Sequence, residues 1–568
     1  MRIKNIFFGL AVVAAMTSCE DDMDYNEFSN YDWDYIAQSY DEVTGLVTNI
    51  YTYLDYDFGQ LYSGGMLASA CDEAEYAYTS NDIQDFTNGS WSASNPLSTI
   101  WDTNYEAIQA CNHYLDNFDG LEFETMQLND DYDAQMYRYH NSFPEVRALR
   151  AYFYFNLVRA YGDVPYFTHE LGVDDVNSLE RVPALAVLDS IMATCDEVAD
   201  TITVDYTNLG LNGISPAETG RINKCGVLAL KARAALYAAS PLFNEDNDAS
   251  RWKKAAEANY QLIVHATDTM SCSLADDYSD LWGTTNWQES EMIFMRRYYT
   301  SSIYSSLLES YNYPVGIDGA SGGNCPSQNL VDAYEMQATG LPITDEDSGY
   351  DEENPYDGRD PRFELTIAKN GDAWPNEVSE LQIYYGGTHA LPTSGGTPTG
   401  YYLKKYLDPS ISFASTSTYT SSLHTWITYR LGEFYLNFAE AANEYLGSPS
   451  DASFGMSAIE AVNKIRARAG MPDFPSDMTY DEFVTKYRRE RMVELAFEGH
   501  RFYDVRRWKI GEEALSSIDE MRLTLNSDGT ITYTRQTVSR TFSEKMYLYP
   551  IPQSEILKNS NLYQNPGW

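Results

Sequence analysis

Apolar residues that recur at steps of three and four dominate the first half of this 568-residue chain. Over residues 145–161 they form one stripe on a helical face, and Gly162 ends the pattern. The pattern returns over residues 225–239 and 251–266, where small residues alternate with large aromatic ones. Small residues let helices approach closely, as in tetratricopeptide-type arrays, although no strict 34-residue period is present. We therefore predict a mainly α protein.

The composition and the apolar pattern of the sequence change beyond Ser271. Two long stretches, residues 298–326 and 345–425, are rich in Tyr, Ser, Gly, Asn and Pro and lack periodicity. Long loops of this kind are generally functional or disordered, and the many aromatic residues here argue against disorder. Helical patterns return over residues 429–446 and 480–502. We predict one globule with a helical part at residues 32–270 and a loop-rich part at residues 271–568.

The N-terminus has the features of an export signal. Residues 1–5 carry two cations, residues 6–15 are apolar, and Cys19 follows a short segment with small residues. Such an apolar stretch is too short to span a bilayer. Cys19 lies where a bacterial lipobox places the acylated thiol, which carries palmitate-type chains. We predict a signal peptide at residues 1–18 and a lipidated acidic tether at residues 19–31.

The net charge of −46 results from 38 Lys and Arg against 84 Asp and Glu. Nucleic-acid binding depends on cations that replace counterions on phosphates, so this charge argues against a nucleic-acid partner. Cations do cluster at residues 464–509, but four acidic residues lie within helical reach of them, namely Glu490, Glu494, Glu498 and Asp504. We predict that these groups form ion pairs that support the fold.

Most common catalytic and metal-binding motifs are missing from the sequence. It contains no H-E-x-x-H, no P-loop and no dinucleotide fingerprint. The six cysteines after Cys19 are widely spaced, which argues against a zinc site and predicts mostly small buried side chains. The acidic runs 244–248 and 345–349 are not followed by a glycine at the sixth position, where an EF-hand loop requires one for its turn. We predict no catalytic residue, resident metal or cofactor, although incidental calcium stays open.

Several segments together resemble the SusD/RagB family of outer-membrane nutrient-binding lipoproteins. Residues 147–159 read RALRAYFYFNLVR, residues 429–443 read YRLGEFYLNFAEAAN, and residues 489–508 read RERMVELAFEGHRFYDVRRW. Further matching segments lie at residues 161–165, 221–233, 326–335, 465–470, 549–555 and 565–568. In order and spread, these segments cover nearly the whole chain after the signal.

The resemblance implies a SusD-like fold of four degenerate tetratricopeptide-like helix pairs with an irregular, loop-rich ligand-facing half. It also implies a partner, a SusC-type TonB-dependent transporter in the outer membrane, to which a captured oligosaccharide is delivered. The acidic run at residues 20–22 is similar to a signal that sends lipoproteins to the cell surface in one group of Gram-negative bacteria. We therefore expect a lipid-anchored, surface-exposed protein of the outer membrane.

Ligand recognition is expected where aromatic rings meet short polar side chains, because a sugar ring has apolar faces and hydroxyl edges. The chain has 47 tyrosines, and two regions at residues 66–101 and 282–324 combine them with such polar groups. By position in the chain, both regions are similar to family segments around the ligand. The candidate binding residues are Asp72, Glu75, Tyr78, Trp91, Trp287, Tyr298, Tyr313 and Asn324.

Three alternatives to oligosaccharide delivery stay open. The first is peptide import of the RagB type, which requires partners for backbone hydrogen bonds. The second is a glycoside hydrolase, which requires two cleft carboxylates at a set separation of about 5 to 9.5 Å. The third is a helical scaffold with no small ligand.

Overall fold

The computed structural model describes residues 33–59, 62–97, 99–207, 209–211, 218, 220–297, 307–375, 377–413 and 422–568. The predicted signal peptide at residues 1–18, Cys19 and the tether at residues 19–31 lie outside the described residues.

Helices account for most of the regular structure, as the sequence predicts. They are α1 Trp33–Ile36, α2 Tyr40–Ile50, α3 Asp85–Asn88, α4 Ile100–Asn117, α5 Tyr132–Tyr161, α6 Val173–Val176, α7 Ala184–Ala199, α8 Lys224–Ala239, α9 Ala249–Val264, α10 Leu307–Asn312, α11 Gln328–Ala333, α12 Arg362–Thr366, α13 Leu431–Leu446, α14 Ala458–Arg468, α15 Tyr480–Glu494, α16 Arg501–Arg507, α17 Gly511–Ala514 and α18 Gln553–Lys558.

The long helices form a stack in chain order. Helix α2 packs on α4 and α5, α4 on α5, α5 on α7, α7 on α8, α8 on α9, α9 on α13, and α13 on α14. The predicted stripe is the buried face of α5, where Val146, Leu149, Phe153 and Leu157 are all 0% exposed. Since each helix buries its apolar face against its neighbours, the stack forms one continuous core.

The described residues of the chain form four antiparallel strand pairs, three of them short and one a hairpin of two nine-residue strands. The strands are β1 Ala74–Tyr76, β2 Met292–Arg296, β3 Asn324–Pro326, β4 Ile367–Ala368, β5 Tyr402–Leu403, β6 Trp426–Arg430, β7 Ser517–Leu525 and β8 Ile531–Ser539. They pair as β1 with β3, β2 with β6, β4 with β5, and β7 with β8. Strand β1 comes from the first half of the chain, so its pairing with β3 joins the two parts.

The helix predicted over residues 480–502 is interrupted in the structure. Helix α15 ends at Glu494 and α16 starts at Arg501. Between them, Phe497 has φ +61° and Gly499 has φ +76°, which a right-handed helix does not accommodate. The turn directs Glu494 and Glu498 into the interior, where both are buried.

Cations of the cluster at residues 464–509 form buried ion pairs with the predicted acids. Arg466 pairs with Glu490 at 2.6 Å, and Arg491 and Arg507 pair with Asp504 at 2.7 and 2.8 Å.

Two buried cations from outside the cluster, Arg430 and Arg362, join the same network. Arg430 contacts Glu291 at 2.7 Å, Glu494 at 2.8 Å and Glu498 at 2.8 Å. Arg362 bridges Glu494 at 2.8 Å and Asp360 at 2.6 Å. Burial by itself would raise the pKa of Glu498, but Arg430 and Lys405 outweigh it and hold that pKa below its usual range.

The cysteines fulfil the prediction of small buried side chains. Five of the six that the structure describes are buried and Cys272 is half-buried; all six are free thiols. A search of the described helices for one long and apolar enough to cross a membrane finds none.

Replacing Arg430 by Met should destabilise the protein strongly. The substitution leaves Glu291, Glu494 and Glu498 buried without that cation, and breaking a buried ion pair costs about 3–5 kcal/mol. Urea unfolding followed by circular dichroism measures the change. The control, Arg147→Met, removes an exposed pair with Glu197, and it should change stability by less than about 1 kcal/mol. Equal effects of the two substitutions would contradict a central role for Arg430.

Candidate functional site

The pairing of β1 with β3 brings together the two regions in which the sequence predicts ligand binding. In this pair Ala74 faces Pro326, Glu75 faces Cys325 and Tyr76 faces Asn324. The chain on either side of these strands surrounds an open cleft of about 320 Å³, which is within the size range of small-ligand sites. We call it the tyrosine cleft; its lining residues are Ser63, Tyr76, Tyr78, Ser80, Asn81, Asp82, Tyr311 and Ser321.

The tyrosine cleft combines aromatic rings with short polar side chains. The rings of Tyr76 and Tyr78 lie 6.1 Å apart and are tilted by 47°. Tyr78 and Tyr311 are half-buried, whereas Tyr76 is only 4% exposed and forms the floor. Desolvation by burial, with the neighbouring Tyr78 and Tyr311, raises the pKa of the Tyr76 phenol, which stays neutral at physiological pH. The cleft thus offers apolar faces bordered by hydroxyl and amide groups and one carboxylate, that of Asp82.

A close approach at Gly64 brings two of the tyrosines together. Gly64 has φ +106°, and a Cβ atom there would lie 2.2 Å from the Tyr76 hydroxyl and 3.1 Å from the Tyr311 ring. Only glycine fits this position. Asn81 fixes the same loop, since its Nδ2 donates to the Tyr62 carbonyl at 2.8 Å while its Oδ1 accepts from the Ile83 N–H at 2.9 Å.

Asn324 positions the cleft from beneath without lining it. It is 0% exposed. Its Oδ1 accepts from the Met66 N–H and the Ser69 hydroxyl, both at 2.8 Å. Its Nδ2 donates to the Gly64 carbonyl at 2.9 Å and to Asn312 Oδ1 at 2.8 Å. This side chain therefore ties the Gly64 loop to α10 and corrects the prediction that Asn324 contacts ligand.

The two predicted acidic residues are engaged in ion pairs. Asp72 is buried and forms a bidentate pair with Arg501, at 2.8 and 2.7 Å. Glu75 pairs with Arg540, which also donates to the Ala74 carbonyl at 2.8 Å. Neither carboxylate lines the tyrosine cleft. The fold uses both to fasten β1 to the C-terminal segments, so Tyr78 is the one predicted residue found in the cleft lining.

Two predicted aromatic platforms are core residues instead. Trp91 is 2% exposed, surrounded by the rings of Phe86, Tyr549 and Trp568 at 4.7, 4.9 and 5.0 Å, and its Nε1 donates to the Pro96 carbonyl at 3.2 Å. Tyr313 is 0% exposed, and its hydroxyl donates to the Asp408 carbonyl at 2.6 Å. The prediction that they stack on a ligand is wrong because neither presents a free face.

The last two predicted residues do not extend the cleft. Trp287 is half-buried outside the cleft lining, and the Arg297 guanidinium lies 4.0 Å from its ring centroid. Tyr298 lies outside the described residues. Ser63, Ser80, Asp82 and Ser321 line the cleft without having been singled out in the sequence. Their only signal is proximity in sequence to Tyr76, Tyr78 and Tyr311.

The described lining of the tyrosine cleft lacks the pair of carboxylates that a glycoside hydrolase uses, and the described residues form no metal cluster. Asp82 is the one carboxylate in the described lining of the tyrosine cleft, whereas glycoside hydrolysis requires a pair. Within the described chain, no group of three or more His, Cys, Asp or Glu side chains is arranged to hold a metal ion.

Comparisons with known proteins agree with this fold. A model described as the SusD family matches residues 290–568, and one described as starch-binding associating with outer membrane matches residues 21–236. SusD-like protein P2 of Formosa agariphila is 23% identical over 509 residues, which are 86% of this chain and 83% of that protein.

Solved structures show the same likeness. A SusD-like protein of Bacteroides fragilis has a TM-score of 0.75 at 27% identity, with 95% of this chain and 99% of that chain covered. A SusD-like carbohydrate binding protein of Bacteroides fragilis has a TM-score of 0.73 at 22% identity, with 93% and 100% covered. Both matches extend over almost the whole chain, so the loop-rich part belongs to the same mainly helical fold.

Substituting Trp91 by Ala should reduce stability without changing ligand affinity. Removing a buried Trp side chain costs about 3–5 kcal/mol, because its contacts are lost and a cavity remains. Chemical unfolding measures the loss, and titration of the folded variant measures affinity. If the variant kept its stability and bound ligand more weakly, Trp91 would instead be shown to stack on the ligand.

Replacing Glu73 by Gln should remove a pH dependence of stability. Burial, reinforced by Asp72, raises the pKa of Glu73 to about 8. Between the unfolded pKa of about 4.3 and this value, the unfolded state binds fewer protons, so wild-type stability falls as pH rises. Relative to wild type, Glu73→Gln should therefore gain stability from pH 5 to pH 8.

Unfolding curves at a series of pH values measure this effect. The control, Glu124→Gln, changes an exposed carboxylate and should leave the pH profile unaltered. Parallel profiles for wild type and Glu73→Gln would contradict the raised pKa.

Proposed function

Because this chain belongs to the SusD/RagB family, we propose that it binds an oligosaccharide in the tyrosine cleft and delivers it to a SusC-type transporter of the outer membrane. As a SusD family protein it is a binding protein rather than an enzyme. The observation that carries the proposal is the juxtaposition of Tyr78 and Tyr311 with Ser80, Asn81 and Asp82 in one open cleft.

The chemistry of this cleft suits a neutral sugar. Tyrosine rings offer flat apolar faces to the C–H face of a pyranose, and the polar rim supplies both donors and acceptors to its hydroxyl edge. Asp82 is the only charged residue in the described lining, so the cleft favours a ligand with little charge. The match to a model described as starch-binding supports the same ligand class.

Peptide import of the RagB type is the alternative that depends most on hydrogen bonds from the protein backbone to the ligand. An extended peptide binds best by adding a strand to an open sheet edge. Strands β1 and β3 are only three residues long and largely buried, so the cleft lacks a long edge of that kind. Side-chain recognition of a sugar agrees better with what lines it.

Delivery to a transporter requires that the protein stay at the membrane. The lipid on Cys19 would provide the anchor after removal of residues 1–18. Residues 19–31 would be the tether that connects the folded part to the membrane surface. A model that describes association with the outer membrane matches from residue 21 onward, which supports this placement. The helical stack, which we interpret as tetratricopeptide-like pairs α2–α4, α5–α7, α8–α9 and α13–α14, would be a rigid support for the cleft.

Substituting Tyr78 or Tyr311 by Ala should weaken oligosaccharide binding by about tenfold, equivalent to about 1.4 kcal/mol of lost contact. Isothermal titration of the mature protein against a panel of neutral oligosaccharides and peptides measures this. Tyr137→Ala, an exposed tyrosine on α5 outside the cleft, is the matched control and should bind like wild type.

Other outcomes of the titration would change the assignment. Binding confined to peptides would favour the RagB-type alternative, and reducing ends released by the purified protein would indicate a hydrolase. Unchanged affinity in both tyrosine variants would place the ligand elsewhere. Tyr78→Phe separates the ring from its hydroxyl, since stacking alone would preserve the affinity.

A further inference from the structure

A second, larger cavity lies beside the first helices of the stack. It has a volume of about 900 Å³ and is enclosed by α1, α2, α4, the segment 165–179 and α18. It shares no lining residue with the tyrosine cleft. We call it the α4 cavity because α4 supplies most of one wall.

Aromatic rings form much of the wall of the α4 cavity. Trp101 and Tyr105 lie on successive turns of α4 with ring centroids 4.9 Å apart, and Tyr105 stacks on Phe167 at 6.1 Å with an interplanar angle of 7°. The Tyr105 hydroxyl donates to the Pro165 carbonyl at 2.9 Å, which fixes this wall. Trp33 at the mouth is 52% exposed, and its ring rests on His113 at 4.2 Å.

Four carboxylates border these rings, and two of them lack an ionic partner. Glu555 pairs with Lys558 at 2.7 Å, and Glu170 contacts His113 at 3.0 Å. Asp102 and Glu106 lie one turn apart on α4, and no cationic side chain of the described chain comes within 4.0 Å of either carboxylate. Like charges at this spacing destabilise a helix. Desolvation by burial and the nearby Glu555 raise the pKa of Asp102, while Lys558, which also lines the cavity, opposes the shift.

We propose that the α4 cavity is a second ligand site, which binds an amino sugar with a free, protonated amine. The sugar ring would stack on Trp33, because Trp101 is only 5% exposed. Its ammonium would lie between Asp102 and Glu106 and near the half-buried rings of Tyr105 and Phe167. A cation near such faces is attracted by their quadrupole as well as by the carboxylates. The tyrosine cleft contains one acid, so the two sites select ligands by charge.

The chain's own N-terminal segment is the competing occupant, because residue 33 lies at the mouth of the cavity. Residues 19–32 include Tyr25, Phe28 and Tyr31, which could enter an aromatic cavity. However, the same segment contains six acidic residues and no Lys or Arg. Like charge opposes its entry between Asp102 and Glu106, whereas it favours an amine.

Titration of the mature protein with a glucosamine tetramer at pH 6 tests the proposal, with the N-acetylated tetramer as the neutral counterpart. The free amine should bind at least about tenfold more tightly than the acetylated form, and its affinity should fall as salt rises from 0.05 to 0.5 M. The double variant Asp102→Asn/Glu106→Gln should lose this preference. Trp33→Ala should weaken binding of both tetramers and provides a second test at an exposed position.

Two controls separate this site from the tyrosine cleft and from general charge effects. Glu122→Gln/Glu124→Gln removes the same charge from exposed residues outside the cavity and should retain the preference for the amine. Tyr78→Ala should also retain it, because the α4 cavity does not depend on the function proposed for the cleft.

Either of two results would overturn the proposal. One is equal affinity for both tetramers in the wild-type protein. The other is amine binding that appears only after residues 20–31 are deleted, which would assign the α4 cavity to the chain's own N-terminal segment.

Discussion

The buried guanidinium of Arg430 is the contact on which the arrangement of the loop-rich part depends. It lies where β6 ends and α13 begins, and it meets Glu291 ahead of β2, Glu494 at the end of α15 and Glu498 in the turn that follows. Burying so many charges costs several kcal/mol per ion, so the network adds little net stability compared with an apolar core. We infer that it contributes specificity instead, because an arrangement that separated these segments would leave buried charges unpaired.

The tyrosine cleft rests on this arrangement. The turn after α15 places the Phe497 N–H 3.3 Å from Glu73 Oε1, and the Glu73 carbonyl accepts from the Ser327 N–H at 2.9 Å beside β3. Strand β1 is thus fixed from the charged turn on one side and from β3 on the other. Tyr76 and Tyr78 follow directly, so the buried ion pairs, rather than the loops themselves, position the tyrosine cleft.

The sequence predicts well those features that depend on local spacing. Helices α5, α8 and α9 follow from their stripes, because a helix shows its buried face within its own residues. Trp91 could not be assigned in this way. Its burial depends on Tyr549 and Trp568, which are more than 450 residues away in the chain. Asn324 and Tyr311 likewise take their positions from contacts with Gly64. These contacts depend on the pairing of β1 with β3, and strands of only three residues give little signal in the sequence.

Charge separates the two cavities more sharply than shape does. In a chain of net charge −46, an uncompensated carboxylate is the common case on the surface, where water screens it. Asp102 and Glu106 differ because aromatic rings line the same cavity, so a cation there would meet both the carboxylates and the faces of the rings. The tyrosine cleft combines its rings with hydroxyl and amide groups and a single carboxylate, that of Asp82. The two proposals together would give one fold two sites that select sugars by charge, with no change in the scaffold that supports them.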